Sequence, residues 1–268
     1  MWRLYLANKQ TAAEIGQHFG VSASTIKRIL RHVECEWVQP VLSGGGFVHM
    51  DCTYQGRSNG VLLAIDHDTG KPLYLEFVTS ETNAHYEHAL SSIESRGYHV
   101  RGIIIDGRRS LFQLFNGYPI QMCQFHMRQI VRRYLTLHPK LLAARELNEL
   151  MKDLVTLTES EFDQRYERWK ERWDGIIKRR SVSKTTGKSR YTHRRLRTAM
   201  NSIDFYRTYL FTYKRLECAG MPNTNNKIEG IFTDLKKNLN THSGMNEKSR
   251  RRFISGFFLA WDSDPQEK

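Results

Sequence analysis

Three carboxylates stand out by position: Asp51 in the run FVHMDCTY, Asp106 at the end of VRGIIID, and Glu229 in TNNKIEG. A carboxylate inside an otherwise apolar strand is costly unless it is paired or binds a cation. Hard divalent cations take carboxylate oxygens and keep water or substrate phosphate as further ligands. Two Mg²⁺ ions about 3.5 to 4 Å apart, with Mn²⁺ as a substitute, would serve phosphoryl transfer: one activates the attacking water or 3′-hydroxyl, the other stabilises the leaving oxygen. Plainer readings stand beside this one. Asp106-Gly107 can be a strand-ending turn, and Glu229, three residues after Asn226, can belong to a helix cap. Asp51, in mid-strand, is the hardest to read as structural. Asp66 also ends an apolar run, but Asp66-His67-Asp68-Thr69-Gly70 reads better as a hairpin turn.

Elements must hold these acids in place. Phe47 to Tyr54, Gly60 to Asp66 and Leu73 to Thr79 are β-rich runs separated by turns at Gly56 to Gly60 and Asp68-Thr69-Gly70, which predicts a three-stranded meander. A helix over about Thr82 to Arg96 follows, then short apolar strands over Val100 to Asp106 and Ile120 to Cys123. From about Phe125 the pattern is helical and charged, before the chain closes on Asn225 to Asn240 and Lys248 to Trp261. This order predicts an α/β fold, a ribonuclease H-like core over residues 43–268 with a helical insertion at about 137–222. Trp169 and Trp173, at i and i+4 in that insertion, read as helical core in preference to platforms for unpaired bases. Ser43-Gly44-Gly45-Gly46 reads as a flexible break after a small all-α segment, residues 1–42.

Within that segment Thr11 to Val33 reads as two short helices around Gly20, which permits a positive-φ turn. Ala12, Ile15 and Phe19 share one face, Val21 plugs the corner, and Ile26, Ile29 and Leu30 point inward, with Ser22 or Ser24 as cap of the second helix. This is a helix-turn-helix pattern, with an ordinary helical hairpin as the plain alternative. Ser24, Thr25 and Lys27 would meet base edges, while Lys27, Arg28 and Arg31 reach phosphates. The chain of 268 residues carries 41 Lys plus Arg against 28 Asp plus Glu, a net charge of +13, which points to a polyanionic partner, nucleic acid before a membrane surface. Gly175 to Ile203 holds no acidic residue, while Lys178, Arg179, Arg180, Lys184, Lys188, Arg190, Arg194, Arg195 and Arg197 accumulate there. Phosphate contact is favoured over a solvated loop, because each cation that neutralises a phosphate releases counterions. The lack of any run of about 18 apolar residues argues against a membrane span. The opening MWRLYLANKQ lacks the apolar stretch of a secretory signal, and four scattered cysteines without a C-x-x-C pair fit a reducing cytosol.

The succession of Asp51, IIIDG with Asp106, MCQFH with Cys123 and His126, a long helical stretch, TNNKIEG with Glu229, and FTDLKKNLNTHSGM resembles the Mutator-like insertion-sequence transposases of bacteria over about Phe47 to Leu259. The C-x-x-H, which begins 17 residues after Asp106, is the most specific element. The resemblance implies a DDE triad of Asp51, Asp106 and Glu229 holding two Mg²⁺ on a ribonuclease H-like fold. It implies an enzyme that binds terminal inverted repeats, hydrolyses the element's ends and joins the freed 3′-hydroxyls to target DNA. A homo-oligomer acting at the nucleoid in the bacterial cytoplasm goes with that. His126 would lie near the carboxylates and contact the scissile phosphate or a metal-bound water, with Cys123 packed behind it; a core Cys and a helix-capping His are the plain alternative. Zinc is disfavoured, since four ligands are needed and no second close pair is present. Asn225 and Asn226 match the family's polar approach to the Glu helix and would touch DNA or cap the helix. Relatives often begin with an extra N-terminal region, in some a Cys-rich zinc ribbon, where this chain opens almost directly on the helix-turn-helix. Two rivals are a catalytically silent descendant that binds DNA as a regulator, and a Mg²⁺-dependent nuclease of the same fold.

Overall fold

The computed structural model describes residues 1–7, 10–183, 185–242 and 244–263. In it, β1 (Gly45–Tyr54), β2 (Gly60–Asp66) and β3 (Pro72–Val78) form an antiparallel meander. Asp51 stands opposite Leu63, and Leu63 opposite Leu75. β4 (His99–Ile105) and β5 (Ile120–Met122) pair in parallel, with Ile103 opposite Ile120. The result is a mixed α/β fold with strand order β3-β2-β1-β4-β5. Two compact units divide the chain, Met1–Arg101 with Asn226–Lys268 and Gly102–Asn225, the cut falling inside β4.

In the first unit every residue of β2 is buried, because both of its faces are covered. Val61, Leu63 and Ile65 share a core with α10 (Asn226–Thr241) through Ile228, Ile231, Phe232 and Leu235, and with α11 (Glu247–Ser263) through Phe253, Phe257 and Phe258. The i, i+3, i+4 spacing of the α10 residues aligns them as one stripe, and each such side chain adds about 1.5–3 kcal/mol when fully buried. On the opposite side α4 (Asn83–Ser95) packs against β2 and β3.

The same unit carries α1 (Trp2–Ala7), α2 (Ala12–Phe19) and α3 (Ala23–Arg31). Thr11 and Glu14 form a capping box at the start of α2, and Gly20 ends it with φ 66°. Ser22 caps α3, its hydroxyl accepting the Thr25 N–H. Ala12, Ile15, Ile26 and Leu30 form the small core, but three expected members stay out of it: Phe19, Val21 and Ile29 are 44%, 39% and 41% exposed. Instead Trp2, Leu4 and Tyr5 of α1, a helix that no sequence pattern announces, pack against this core. The Ser43-Gly44-Gly45-Gly46 run also differs from the flexible break expected. Gly45 and Gly46 belong to β1, and a Cβ on Gly45 would sit 2.4 Å from the His99 carbonyl oxygen, so close strand approach explains the glycine.

The second unit contains the end of β4, β5 and a mainly helical remainder: α5 (Arg109–Leu114), α6 (Gln124–Leu135), α7 (Leu142–Asp153), α8 (Glu159–Lys178) and α9 (Arg194–Tyr206). α6 packs against α7 and α9. Trp169 is buried and donates its indole N–H to the Ala143 carbonyl at 2.9 Å, while Trp173 donates to Glu146 at 2.7 Å, in keeping with a helical-core role. The basic stretch is not wholly helical. β6 (Arg180–Val182) and β7 (Ser189–Tyr191) form a hairpin whose turn holds Gly187 at φ 64°. Lys184 lies outside the described residues.

Candidate functional site

In the first unit the strand period sets Asp51 on the same side of β1 as His49 and Thr53. Asp51 is half-buried, and its Oδ1 accepts the Cys52 N–H at 2.8 Å. His49, 1% exposed, shares a hydrogen bond of 3.0 Å with His67. Glu229 occupies the first turn of α10, also half-buried, and α10 packs against β1. The elements carrying Asp51 and Glu229 therefore lie against each other within one unit. Lys227 steadies the start of α10 by donating its Nζ to the Asp68 carbonyl at 3.2 Å and to that of His67. Asp66 is occupied otherwise. Its Oδ1 accepts the Thr69 N–H at 2.7 Å and the Thr69 hydroxyl at 2.6 Å, and its Oδ2 accepts the Tyr98 hydroxyl. Burial alone would raise this carboxyl, but the Thr69 and Tyr98 hydrogen bonds hold it below its usual value. The hairpin-turn reading of Asp66 agrees with this wiring.

On α3 the side chains of Ser24, Lys27, Arg28 and Arg31 are exposed and Thr25 is half-exposed. The Ser24 and Thr25 hydroxyls lie 2.8 and 3.0 Å from that of Ser22, so this first turn is ordered by its own cap.

In the second unit Asp106 follows β4 directly, half-buried, and accepts the Arg108 N–H at 3.1 Å. The next residue is held tightly. A Cβ on Gly107 would meet Ile130 Cδ1 at 2.4 Å, and the Gly107 carbonyl accepts the Tyr206 hydroxyl. Burial, opposed by Arg109, raises the Tyr206 phenol, which keeps it a donor. Cys123 is fully buried at the start of α6. Its N–H donates to the Ile105 carbonyl at 3.0 Å, and its Sγ accepts the Asn225 N–H at 3.2 Å. His126, one turn on, is half-buried with its ring 5.9 Å from that of Phe125. Asn225 is buried and Asn226 exposed.

The cations of the insertion fall into different settings. Lys178 pairs with Asp174 at 2.8 Å, Arg179 is exposed, and Arg180 stacks 4.5 Å over the Tyr191 ring, which Arg197 also covers at 3.7 Å. Arg194 and Arg195 line an open cleft of about 540 Å³ with Arg133, Tyr134 and Thr198. Arg133 was not singled out from sequence; its signal is the RRY run near the end of α6, which packs against α9. Among the described residues no helix is long and apolar enough to cross a membrane.

No family profile and no curated protein matches the chain. Among solved structures it is similar to the Drosophila P element transposase strand transfer complex, at 12% sequence identity over 97% of this chain and 91% of that one, with a TM-score of 0.47.

Proposed function

We propose that this chain is a DNA transposase with a ribonuclease H-like core and a DDE triad of Asp51, Asp106 and Glu229. One observation carries the reading. Within a five-stranded mixed sheet, two of the acids stand on the first strand and at the end of the fourth, and the third stands on the helix that packs against the first strand. The donor set fits Mg²⁺, or Mn²⁺ in its place: the three are carboxylates, the hard oxygen donors these cations take. When bound, two such ions supply activation of the attacking water or 3′-hydroxyl and stabilisation of the leaving oxygen.

The chain's own residues do the rest. Asp51, Asp106 and Glu229 would hold the ions, and His126 would contact the scissile phosphate with Cys123 packed behind it. Ser24 and Thr25 meet base edges, and Lys27, Arg28 and Arg31 meet phosphates of the terminal inverted repeats. Lys178, Arg179, Arg180, Arg194 and Arg195 track further phosphates, with Asn225 and Asn226 at the approach to the Glu229 helix. Hydrolysis frees 3′-hydroxyls, and the same acids serve their attack on target DNA. Two ends processed together call for a homo-oligomer, at work on the nucleoid of a bacterial cytoplasm.

The test is incubation with DNA carrying the element's ends and Mg²⁺, scored for end cleavage and joining. Asp51→Asn, Asp106→Asn and Glu229→Gln should lose both products and still shift the DNA on a gel. Normal cutting by any of the three overturns the assignment. Cleavage without joining to a target plasmid would make the enzyme a nuclease.

A further inference from the structure

A cavity of about 650 Å³ opens in the first unit, lined by α1, α2 and α3 on one side and by the end of α10 and the start of α11 on the other. Lys27 and Arg31 of α3 and Lys248 and Arg252 of α11 line it, and among the described residues no Asp or Glu does. Each helix offers its two cations at i and i+4, so they stand one turn apart on one face of that helix. Lys27, Arg31 and Lys248 are exposed, and among the described residues none of the four cations has a carboxylate within ion-pair distance. Arg251, one position from Arg252, behaves differently, since it pairs with Glu247 at 2.9 Å. Arg252 donates to the Arg31 carbonyl at 2.6 Å, which ties the end of α3 to α11 and fixes the two rows of cations. His242 adds no charge at neutral pH, because burial lowers its imidazole despite the hydrogen bond to the Tyr5 carbonyl.

Four like charges converging on a concave surface repel one another and favour an anion between them. We infer that this groove binds the sugar-phosphate backbone of duplex DNA, with Lys248 and Arg252 as contacts beyond the recognition helix. The inference rests on the proposed DNA-binding function and extends it to α11. A repeating polyanion suits paired rows of cations better than a single small anion does. The groove also borders the face of α3 that exposes Ser24 and Arg28, so one duplex can reach both.

The experiment uses the full chain and a short labelled duplex of arbitrary sequence, with affinity read by fluorescence anisotropy across a salt series. Lys248→Gln should flatten the plot of log K against log salt by about 0.9, and Lys27→Gln with Lys248→Gln by about twice that, equally on unrelated sequences. Lys248 is exposed, and an unchanged melting temperature would establish that the variant is folded. A wild-type slope in Lys248→Gln overturns the inference, as does competition by polyglutamate as strong as that by the duplex. The two readings fail separately: a normal slope in Lys248→Gln with lost cleavage in Asp51→Asn removes the groove alone, and the converse removes the catalytic assignment alone.

Discussion

Asp66, at the end of β2, and Asp106, directly after β4, follow nearly the same kind of apolar run, and their surroundings diverge within the next three residues. After Asp66 the chain supplies Thr69, which gives both its N–H and its hydroxyl, and Tyr98 adds a third donor. After Asp106 it supplies Gly107 and Arg108, and among the described residues the carboxylate accepts one backbone N–H. An acid whose oxygens are filled by protein donors is part of the architecture. One left with most of its lone pairs open at a strand end keeps coordinating capacity for a cation. Residue type and position alone do not separate these cases; the donors that fold back on each carboxylate do.

The largest expected effect tests that contrast directly. Under the proposed assignment Asp106→Asn should cut DNA cleavage by at least about a hundredfold, since ions held there would supply several kcal/mol at 1.36 kcal/mol per decade. Its stability should stay within about 0.5 kcal/mol of wild type, because it gives up no filled hydrogen-bond network. Asp66→Asn should do the reverse: a loss of about 1–3 kcal/mol in denaturant titration, from a buried group that can no longer accept all three donors, with cleavage per folded molecule kept. If Asp106→Asn unfolds the chain and Asp66→Asn kills cleavage in a stable protein, the two roles have been assigned the wrong way round.

The strands were legible for one reason: apolar runs of strand length bounded by turn residues constrain the backbone locally. The meander, β4 and β5 all follow from such runs. What stayed hidden depends on contacts distant in sequence. α1 has six residues, and its Trp2 is seated against Gly256 of α11, where a Cβ would come within 2.8 Å of the indole. β6 and β7 are three residues each and almost wholly exposed, carried by hairpin pairing and by Arg180 and Arg197 on Tyr191, so no hydrophobic period marks them. The contact of Cys123 Sγ with the Asn225 N–H joins residues 102 apart, and no local pattern announces it.

A second pair of positions sharpens the same lesson with a smaller effect. Gly16 in α2 and Gly175 in α8 are both helix-interior glycines that intrinsic propensity alone would replace by alanine. A Cβ at Gly16 would lie 2.6 Å from the Val21 carbonyl oxygen, a backbone atom held by the turn, whereas nothing lies within 4 Å of one at Gly175. Gly16→Ala should therefore cost about 1–3 kcal/mol, and Gly175→Ala should gain about 0.4–1 kcal/mol. Denaturant midpoints at constant m-value measure both; equal shifts of the same sign would mean that the turn after α2 yields freely.

The smallest expected effect is the pH dependence of the first unit, and its sign follows from which groups are depressed. Asp66 lies below its ordinary 3.8 when folded, so its stabilisation is complete above that value and is lost as pH falls through the lower folded value. His67 is lowered by burial and then by Lys227, against Asp68 and Asp66, and His242 is lowered by burial. Both have an ordinary value of 6.5, so just below it the unfolded chain binds more protons than the folded one. Stability should thus start to fall as pH drops past 6.5, well before Asp66 titrates. Urea midpoints measured at neutral pH and at about pH 5.5 should show that early loss in wild type, one at least as large in Asp66→Asn because Asp66 raises His67, and a weaker one in His242→Gln. The gap between wild type and Asp66→Asn should not narrow over this range and should close only below 3.8. A gap that closes already between pH 7 and 5.5 would mean that Asp66 is not held ionised by Thr69 and Tyr98, and the contrast with Asp106 would lose its physical basis.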